Sequence, residues 1–335
     1  MALIFIDGFD HYPTADLLEK WNMRGGNFEV LGSNYGRFGG QGLRVYGTSG
    51  YLKKLILGSK STIYFGGAFY KDTSGQTTAA DFGMLSFQDE SSIVQIAVRL
   101  NPSYGFSVYQ GDGTLLGSSA DSLVTDQKWY YLEAKVTISA TVGVVEVKLN
   151  GTQIINLTSQ DTKNGSDYIG YVSISGEIVN KYFYFDDLYI DDAQFHGDCR
   201  IRTFLPDVDG NSADFTRSTG SNDYECVDEP VSNSDTDYIY SDTLNHKQGF
   251  GITTGALGTV IGVQLNNHCR LDEAGTRKIT PLIRSNSTDY SGTETEAISV
   301  TYSIEHEIWE TDPDDSNPWT QTKLEATEFG LEITT

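Results

Sequence analysis

The sequence is poor in cysteine, methionine, proline and basic residues. Three cysteines in 335 residues are too few for a disulfide framework, and no two of them stand as C-x2-C, so we expect free, buried thiols and no cysteine zinc site. Seven prolines and three methionines accompany 35 glycines and 20 tyrosines, a composition typical of β-rich proteins with many tight turns. The 23 basic residues face 46 acidic ones, a net charge of −23. Such a chain repels nucleic acid, and we expect no nucleic-acid partner.

Long apolar runs are absent as well. None approaches the roughly 20 residues that span a bilayer, so we expect no membrane insertion. The N-terminal residues 1–7 lack the basic segment and the cleavage site of a signal peptide, and they alternate like a strand. We therefore expect the chain to be made in a cytoplasm and not exported by a secretory route.

The strongest β pattern lies between residues 129 and 157. Bulky apolar residues alternate with polar ones over 129–138, which is the period of a half-buried strand, and Trp129 is expected in the core. A second strand follows over 142–149. Asn150-Gly151 then supply the two positive-φ positions of a type I′ hairpin, with a return strand over 152–157.

This strand order resembles the back half of concanavalin-like, laminin-G-like jelly rolls, in which a tryptophan-started strand precedes a hairpin ending in Asn-Gly or Asp-Gly. The resemblance implies an all-β chain that begins with a jelly-roll sandwich. Segments 3–10 and 182–190 are both strongly β-forming and both end in acidic clusters. Because terminal strands pair in such domains, we expect these two segments to pair in the sheet.

A change in composition near residue 196 predicts two domains. Residues 1–197 hold 14 basic and 21 acidic residues, a net charge of −7, and residues 198–335 hold 9 and 25, a net charge of −16. A polar stretch over 206–244 separates nearly continuous apolar alternation from a β pattern that resumes at residue 258. We predict a concanavalin-like jelly roll over 1–195 and a smaller, acidic β-sandwich for assembly over 196–335.

Sequence motifs for catalysis are absent. The chain has no G-x-S-x-G, H-E-x-x-H or phosphate loop. Glycosidases that share the sandwich carry an E-x-D-x-x-E strand, because two carboxylates must flank the sugar. The nearest match, residues 187–192, has Tyr189 at the middle acid position. We therefore expect no catalytic residues and no enzymatic activity.

Calcium is the one cofactor candidate. Asp207, Asp209 and Asn211 place oxygen ligands at alternate positions, as a calcium loop does. Ser212 stands where an EF-hand has glycine, and Ser218 stands where it has the last glutamate. The segment is therefore no EF-hand, and a plain Asx-rich turn is the alternative interpretation.

Aromatic residues in presumed loops are candidates for glycan contact. Tyr12, Tyr35 and Tyr104 lie among glycine, asparagine and aspartate residues, and exposed rings beside polar groups are how such sandwiches hold glycans. Strand propensity alone also accounts for many tyrosines in a β protein. Both interpretations stay open at this stage.

The later part of the chain suggests a second resemblance. The segment F-H-G-D-C-R-I-R-T-F-L-P over 195–206, then D-G-N over 209–211, D-T-D-Y-I over 235–239 and the run over 272–284, together with residues 7–12, resemble structural proteins of tailed bacteriophages. In these a lectin-like sandwich precedes a second β domain. The resemblance implies a virion component (capsid decoration, neck or tail-associated protein) that is made in the host bacterial cytoplasm. It implies assembly as a homo-oligomer with other virion proteins. The alternative is a carbohydrate-binding adhesin that contacts a host surface glycan.

Overall fold

A computed structural model describes residues 3–72, 81–176 and 182–335. The chain divides into two compact units, Met1–Ile201 and Arg202–Thr335, whereas the sequence pattern places the boundary at residue 195. The later position has a local cause, because the last residues of the first unit are hydrogen-bonded to its sheet. The backbone N–H of Gly197 donates to Glu133 at 2.9 Å, and that of Ile201 donates to Asp187 at 2.7 Å.

Strands make up most of the first unit. In its described residues they are β1 (Leu3–Asp7), β2 (Met23–Leu31), β3 (Gly42–Lys60), β4 (Thr62–Lys71), β5 (Phe82–Gln88), β6 (Val94–Leu100), β7 (Phe106–Gln110), β8 (Leu115–Ser118), β9 (Trp129–Thr137), β10 (Gly143–Leu149), β11 (Thr152–Gln160), β12 (Ile169–Gly176) and β13 (Tyr182–Asp191). Helix α1 (Leu17–Lys20) follows a 3-10 turn over Thr14–Asp16.

These strands form one antiparallel sheet that folds over itself as a sandwich. The order is β11-β10-β9-β4-β13-β3-β12-β5-β6-β7-β8, with β1 paired to β13 and β2 paired to β3. Rings from strands far apart in this order meet in the core. Phe82 stacks on Phe183 at 3.8 Å between ring centres, and Phe69 meets Phe106 at 6.2 Å. The expected all-β jelly-roll sandwich is therefore confirmed.

Local sequence signals account for several of these elements. Asn150 and Gly151 both have positive φ, 48° and 76°, so the predicted I′ turn between β10 and β11 is confirmed. The expected pairing of the terminal strands is confirmed as well, with Phe5 opposite Ile190. Thr14, at the start of the 3-10 turn, does not cap α1, because its hydroxyl is hydrogen-bonded to the backbone of Val30.

The prediction that Trp129 is a core residue is also wrong. Trp129 is half-buried, and its ring lies 5.5 Å from that of Tyr70. The core-facing positions of β9 are the alternate ones, Leu132, Ala134 and Val136, all at most 2% exposed. Trp129 shares its face with Glu133 and Lys135, and the apolar positions of the strand fall on the other face, so the size of the tryptophan alone does not predict burial.

The second unit is a smaller arrangement of short strands. In its described residues they are β14 (Val208–Ala213), β15 (Thr216–Arg217), β16 (Ile239–Tyr240), β17 (Lys247–Gly251), β18 (Val263–Cys269), β19 (Lys278–Ser285), β20 (Thr288–Ser291), β21 (Ser303–Trp309) and β22 (Glu328–Thr334). Strands β14-β17-β22-β19-β20 form one sheet, and β18-β21 and β15-β16 form two-stranded ribbons. The core includes Ile283, Trp319 and Phe329, with Leu324 from helix α2 (Gln321–Glu325) packed against them.

In the part of the chain that the structure describes, helices are all too short or too polar to cross a membrane.

Phe69 provides a direct test of the sandwich core. It is fully buried between Phe106 and Tyr130, so Phe69→Ala should lower the free energy of unfolding of the first unit by about 3–5 kcal/mol. Leu57→Ala is the control, since Leu57 is 78% exposed and its truncation should change stability by roughly 0.5 kcal/mol or less. Urea unfolding of the full chain gives both values, and equal effects would contradict the core assignment.

Candidate functional site

Five side chains from five strands form one row on the outer face of the first unit's sheet, which is the face opposite the core. Directly opposed residues on neighbouring strands share a face. In order across the sheet, the register makes neighbours of Glu29, Arg44, Tyr184, Tyr70 and Trp129. We call these five residues the open row. The side chain of Glu29 is 30% exposed, Arg44, Tyr70 and Trp129 are half-buried, and Tyr184 is buried.

The aromatic rings of the open row are in contact with one another. Ring centres lie 5.5 Å apart for Trp129 and Tyr70 and 5.7 Å apart for Tyr70 and Tyr184. Tyr35, which is 47% exposed, stacks on Tyr184 at 5.8 Å and 20° between planes. Four rings are therefore in continuous contact. Tyr184 at the centre is 8% exposed, so the accessible apolar surface is mainly that of Trp129, Tyr70 and Tyr35.

A charged network adjoins these rings. Arg44 forms an ion pair with Glu29, and the Tyr46 hydroxyl donates to Glu29 at 2.5 Å. The Arg44 guanidinium also lies 4.8 Å from the ring centre of Tyr46 and 5.2 Å from that of Tyr182. The Tyr46 hydrogen bond, and then Arg44, lower the pKa of Glu29, so the carboxylate is ionised at neutral pH. The network gives the apolar surface donors and acceptors in fixed positions.

The rest of the same face is covered by residues 193–201, which we call the strap. Tyr131 and Glu133 follow Trp129 on the outward side of β9, and both are at most 1% exposed. Glu133 accepts hydrogen bonds from the Tyr189 hydroxyl at 2.6 Å and from the Gly197 N–H of the strap at 2.9 Å. Phe195 of the strap packs edge-on against Tyr64 at 5.0 Å. The strap therefore covers the face farther along these strands and borders the open row on one long side.

Gly66 allows the Tyr189 ring to lie flat on the sheet. The two residues are cross-strand partners, and a Cβ at position 66 would lie 2.1 Å from the Tyr189 ring. Only glycine permits this approach. Tyr189 thus crosses Gly66 to reach Glu133 on β9.

A β-bulge in β13 places two carboxyl groups under the strap. The register shifts between Asp186 and Tyr189, and Asp187 has φ of 53°, the left-handed region in which non-glycine residues are strained. Asp186 accepts a hydrogen bond from the Arg37 N–H at 2.7 Å, and Asp187 accepts one from the Ile201 N–H at 2.7 Å. Burial, reinforced by the neighbouring charge of Asp187, raises the pKa of Asp186 to about 8, and burial raises that of Asp187 to about 6.

Arg37 lies over this pair. Its guanidinium donates two hydrogen bonds to Asp198 of the strap, at 2.5 and 2.6 Å, and lies 3.7 Å from the Asp187 carboxyl. Its charge also lies 5.4 Å from the ring centre of Tyr131. Among the described residues Asp187 Oδ2 has no hydrogen-bond partner. The covered part of the face is thus held together by carboxyl groups, and the open row is lined by aromatic rings.

The structure separates the three tyrosines that the sequence proposed for glycan contact. Tyr12 is 1% exposed and its hydroxyl donates to Asp7, so it is a core residue and this expectation is corrected. Tyr104 has φ of 62°, and Lys71 Nζ lies 4.9 Å from its ring centre. Tyr35 adjoins the open row through Tyr184. Glycan contact by Tyr35 and Tyr104 stays a prediction.

The proposed calcium ligands lie at the start of the second unit. Asp207 is exposed and immediately precedes β14, and Asp209 and Asn211 lie within it. Asp209 accepts a hydrogen bond from the Tyr224 N–H at 2.8 Å, and the Asn211 N–H donates to Glu328 at 2.7 Å. An extended strand spaces alternate residues by roughly 6.5 Å, so the three side chains could bind one ion only if this segment of the strand bent. The calcium site stays a prediction.

Sequence reasoning missed most of the open row. Arg44, Tyr70 and Tyr184 lie inside strands. Tyrosine is common in strands through β propensity alone, so the two tyrosines are not a functional signal by themselves. One signal was available: Tyr182-Phe183-Tyr184-Phe185 is aromatic at every position. A strand with one core face needs large apolar groups only at alternate positions, so this run indicates aromatic groups on the outer face too.

No protein-family model and no curated protein matches the chain. Among solved structures, it is similar to an endo-β-1,4-glucuronan lyase from the fungus Trichoderma reesei, at 11% identity and a TM-score of 0.43, over 57% of this chain and 99% of the lyase. It is also similar to an alginate lyase from a Chlorella virus, at 11% identity and a TM-score of 0.42, over 57% of this chain and 99% of that chain. A carbohydrate-binding module from Bacillus subtilis matches at 11% identity and a TM-score of 0.34, over 49% of this chain and 92% of the module.

These comparisons contradict the expectation that the chain is not an enzyme, since two of the three similar structures are polysaccharide lyases. That expectation depended on the absence of a glycosidase acid pair and of common nucleophile motifs, and other chemistries leave no such local pattern in a sequence. None of the three structures is a virion protein. The virion role, its protein partners and the homo-oligomer stay predictions.

The buried carboxyl pair predicts a pH dependence of stability. The folded pKa values of Asp186 and Asp187 are raised above the usual value near 3.8. Their contribution to stability is therefore fully present below about pH 4 and is lost as the pH rises through 6 to 8. The first unit should unfold at lower urea concentration at pH 8.5 than at pH 5.

Asp186→Asn separates this effect from other titrations, because its side chain is neutral at every pH. The variant should lose less stability than the wild type between pH 5 and pH 8.5, whatever its stability at pH 5. Urea unfolding at both pH values measures the difference. Parallel losses in the two proteins would show that the pair does not titrate as described.

Proposed function

We propose that the first unit binds carbohydrate on the open row and that its ligand is a surface glycan. The observation that carries the proposal is the unbroken contact of the Trp129, Tyr70, Tyr184 and Tyr35 rings beside the Arg44–Glu29 pair. Aromatic side chains on a monomer's surface are scattered singly in the usual case, and a contiguous set marks a binding surface.

The chemistry of the row suits a sugar. A pyranose ring has an apolar face of C–H groups, which packs on the electron-rich face of an aromatic ring. It also has hydroxyl groups around its edge, which need hydrogen-bond partners when water is displaced. Glu29 supplies acceptors, and Arg44 and the tyrosine hydroxyls supply donors, along the same row.

The fold supports the proposal because it fixes the positions of the side chains in the row. The row crosses five neighbouring strands, so its spacing is set by backbone hydrogen bonds and does not depend on a loop. Sheet strands lie about 4.8 Å apart, and five of them therefore offer a surface long enough for several sugar residues. The strap covers the same face farther along β9, β4 and β13, so it borders the row on one of its long sides.

Trp129→Ala tests the proposal. A glycan array first identifies the ligand, and calorimetry then compares wild type and variant. We expect at least about tenfold weaker binding, equivalent to roughly 1.4 kcal/mol, with an unchanged circular dichroism spectrum because Trp129 lies outside the core.

Tyr51→Ala is the matched control. Tyr51 is an exposed aromatic residue of β3, 38% exposed, and it is opposite Gly25 and Ser175, away from the open row. This variant should bind like the wild type. Equal affinities for all three proteins, or no ligand on an array that contains neutral and acidic polysaccharides, would contradict the proposal. Products released from the bound glycan would extend it to catalysis.

A further inference from the structure

A buried amine and a buried carboxyl group lie together beneath the N-terminal strand, outside the site described above. Lys20 Nζ is 3.2 Å from Asp7 Oδ1, and the two side chains are 1% and 0% exposed. Phe5 and Tyr12 line the space around the amine, with ring centres 5.4 and 5.9 Å from Nζ. Trp21, 2% exposed, closes it from α1. A lysine so placed has no route to solvent, which is rare for its type.

The two oxygens of the Asp7 carboxyl group have different partners. Oδ2 accepts hydrogen bonds from the Tyr12 hydroxyl at 2.5 Å and from Trp21 Nε1 at 2.8 Å. Oδ1 faces Lys20 and accepts the N–H of Phe9 at 3.0 Å. Phe9 has φ of 59°, so this N–H is held in place by a strained backbone. One oxygen therefore has two donors suited to stabilise negative charge, as an oxyanion hole does, and the other faces the amine.

A potential proton carrier completes the arrangement. His11 Nε2 is 3.1 Å from Lys20 Nζ, within the distance at which a general base acts. Burial lowers the pKa of Lys20, against the attraction of Asp7, which favours the neutral, nucleophilic amine. Against its own burial, the charge of Lys20 and the Tyr12 hydrogen bond lower the pKa of Asp7, so the ion pair is the resting form and the neutral pair is reached by proton transfer. A nucleophile, an electrophile, an oxyanion hole and a base thus lie in one dry pocket.

We propose that Lys20 and Asp7 condense to an intramolecular isopeptide bond. The ammonium group first transfers a proton to Oδ1 along their hydrogen bond, giving an amine and a carboxylic acid. Nζ then attacks Cγ, and negative charge develops on Oδ2, where Tyr12 and Trp21 donate. His11 takes a second proton from Nζ and returns it to the Oδ1 hydroxyl, which leaves as water while Oδ2 becomes the amide oxygen.

The step balances without any other reactant: one C–N bond forms, one C–O bond breaks and one water departs. The reacting groups are held in contact, so the reaction is unimolecular and has no association entropy to overcome. Exclusion of water favours condensation over hydrolysis. The product replaces a buried ion pair, whose desolvation is costly, with a neutral amide that ties β1 to α1. The bond does not depend on the proposed function.

Intact-mass spectrometry of the full chain is the test. Wild type should be lighter than its sequence by the mass of one water, and tandem spectra of a digest should contain a branched peptide that joins Asp7 to Lys20. Lys20→Arg should have its full sequence mass. Lys54→Arg is the matched control, because Lys54 is also buried and lies over the same Phe5 ring at 4.4 Å, and it should keep the loss of one water.

Two results would overturn the proposal. The first is a folded wild type at its full sequence mass after prolonged incubation. The second is a loss of one water that persists in Lys20→Arg, which would identify a cyclic imide at Asp7-Gly8 instead. His11→Ala tests the proton carrier: the branched peptide should form roughly 100-fold more slowly or worse, and an unchanged rate would exclude this role for His11.

Discussion

The architecture of the first unit depends on the pairing of strand β13. One edge of β13 is hydrogen-bonded to β4 along its length, and the other edge is shared by two strands in succession. Strand β3 pairs with residues 182–185, and β1 pairs with residues 188–191. The bulge at Asp186 and Asp187 lies where one partner ends and the other begins. Backbone groups left without a strand partner there must be satisfied by other means. The Asp187 N–H donates to the Asp186 carboxyl group, and the Asp187 carbonyl accepts from the Tyr131 hydroxyl.

This pairing divides the outer face of the sheet into two chemically different halves. Beside β3, the outward residues are the buried ring of Tyr184, the half-buried rings of Tyr70 and Trp129, and one charged pair. Beyond the bulge, they are buried carboxyl and hydroxyl groups such as Glu133 and Tyr189, which need the strap because polar groups cannot be buried without partners. The same constraint therefore produces both the surface that we assign to binding and the cover that limits it.

Local features of the fold could be predicted from the sequence, and long-range ones could not. Asn150-Gly151 determines its own turn through positive φ, and the β-forming ends of the first unit predict that they pair. The open row instead joins residues 29, 44, 70, 129 and 184, and only strand order and register bring them together. Trp129 was misplaced for a local reason, because it shares its face with Glu133 and Lys135 and its size alone does not place it in the core. Tyr12 could not be placed from the sequence either. Its hydroxyl is hydrogen-bonded to the buried Asp7 carboxylate, five residues away, and the surrounding sequence looks like an exposed loop.

The most direct test is a crystal structure of the chain with the oligosaccharide that binds it best. We predict a sugar ring packed within about 4 Å of the Trp129 and Tyr70 rings, with the chain running along the open row beside the strap and hydroxyl groups hydrogen-bonded to the Arg44–Glu29 pair. A sugar bound elsewhere on the molecule, with the open row covered only by solvent, would contradict it.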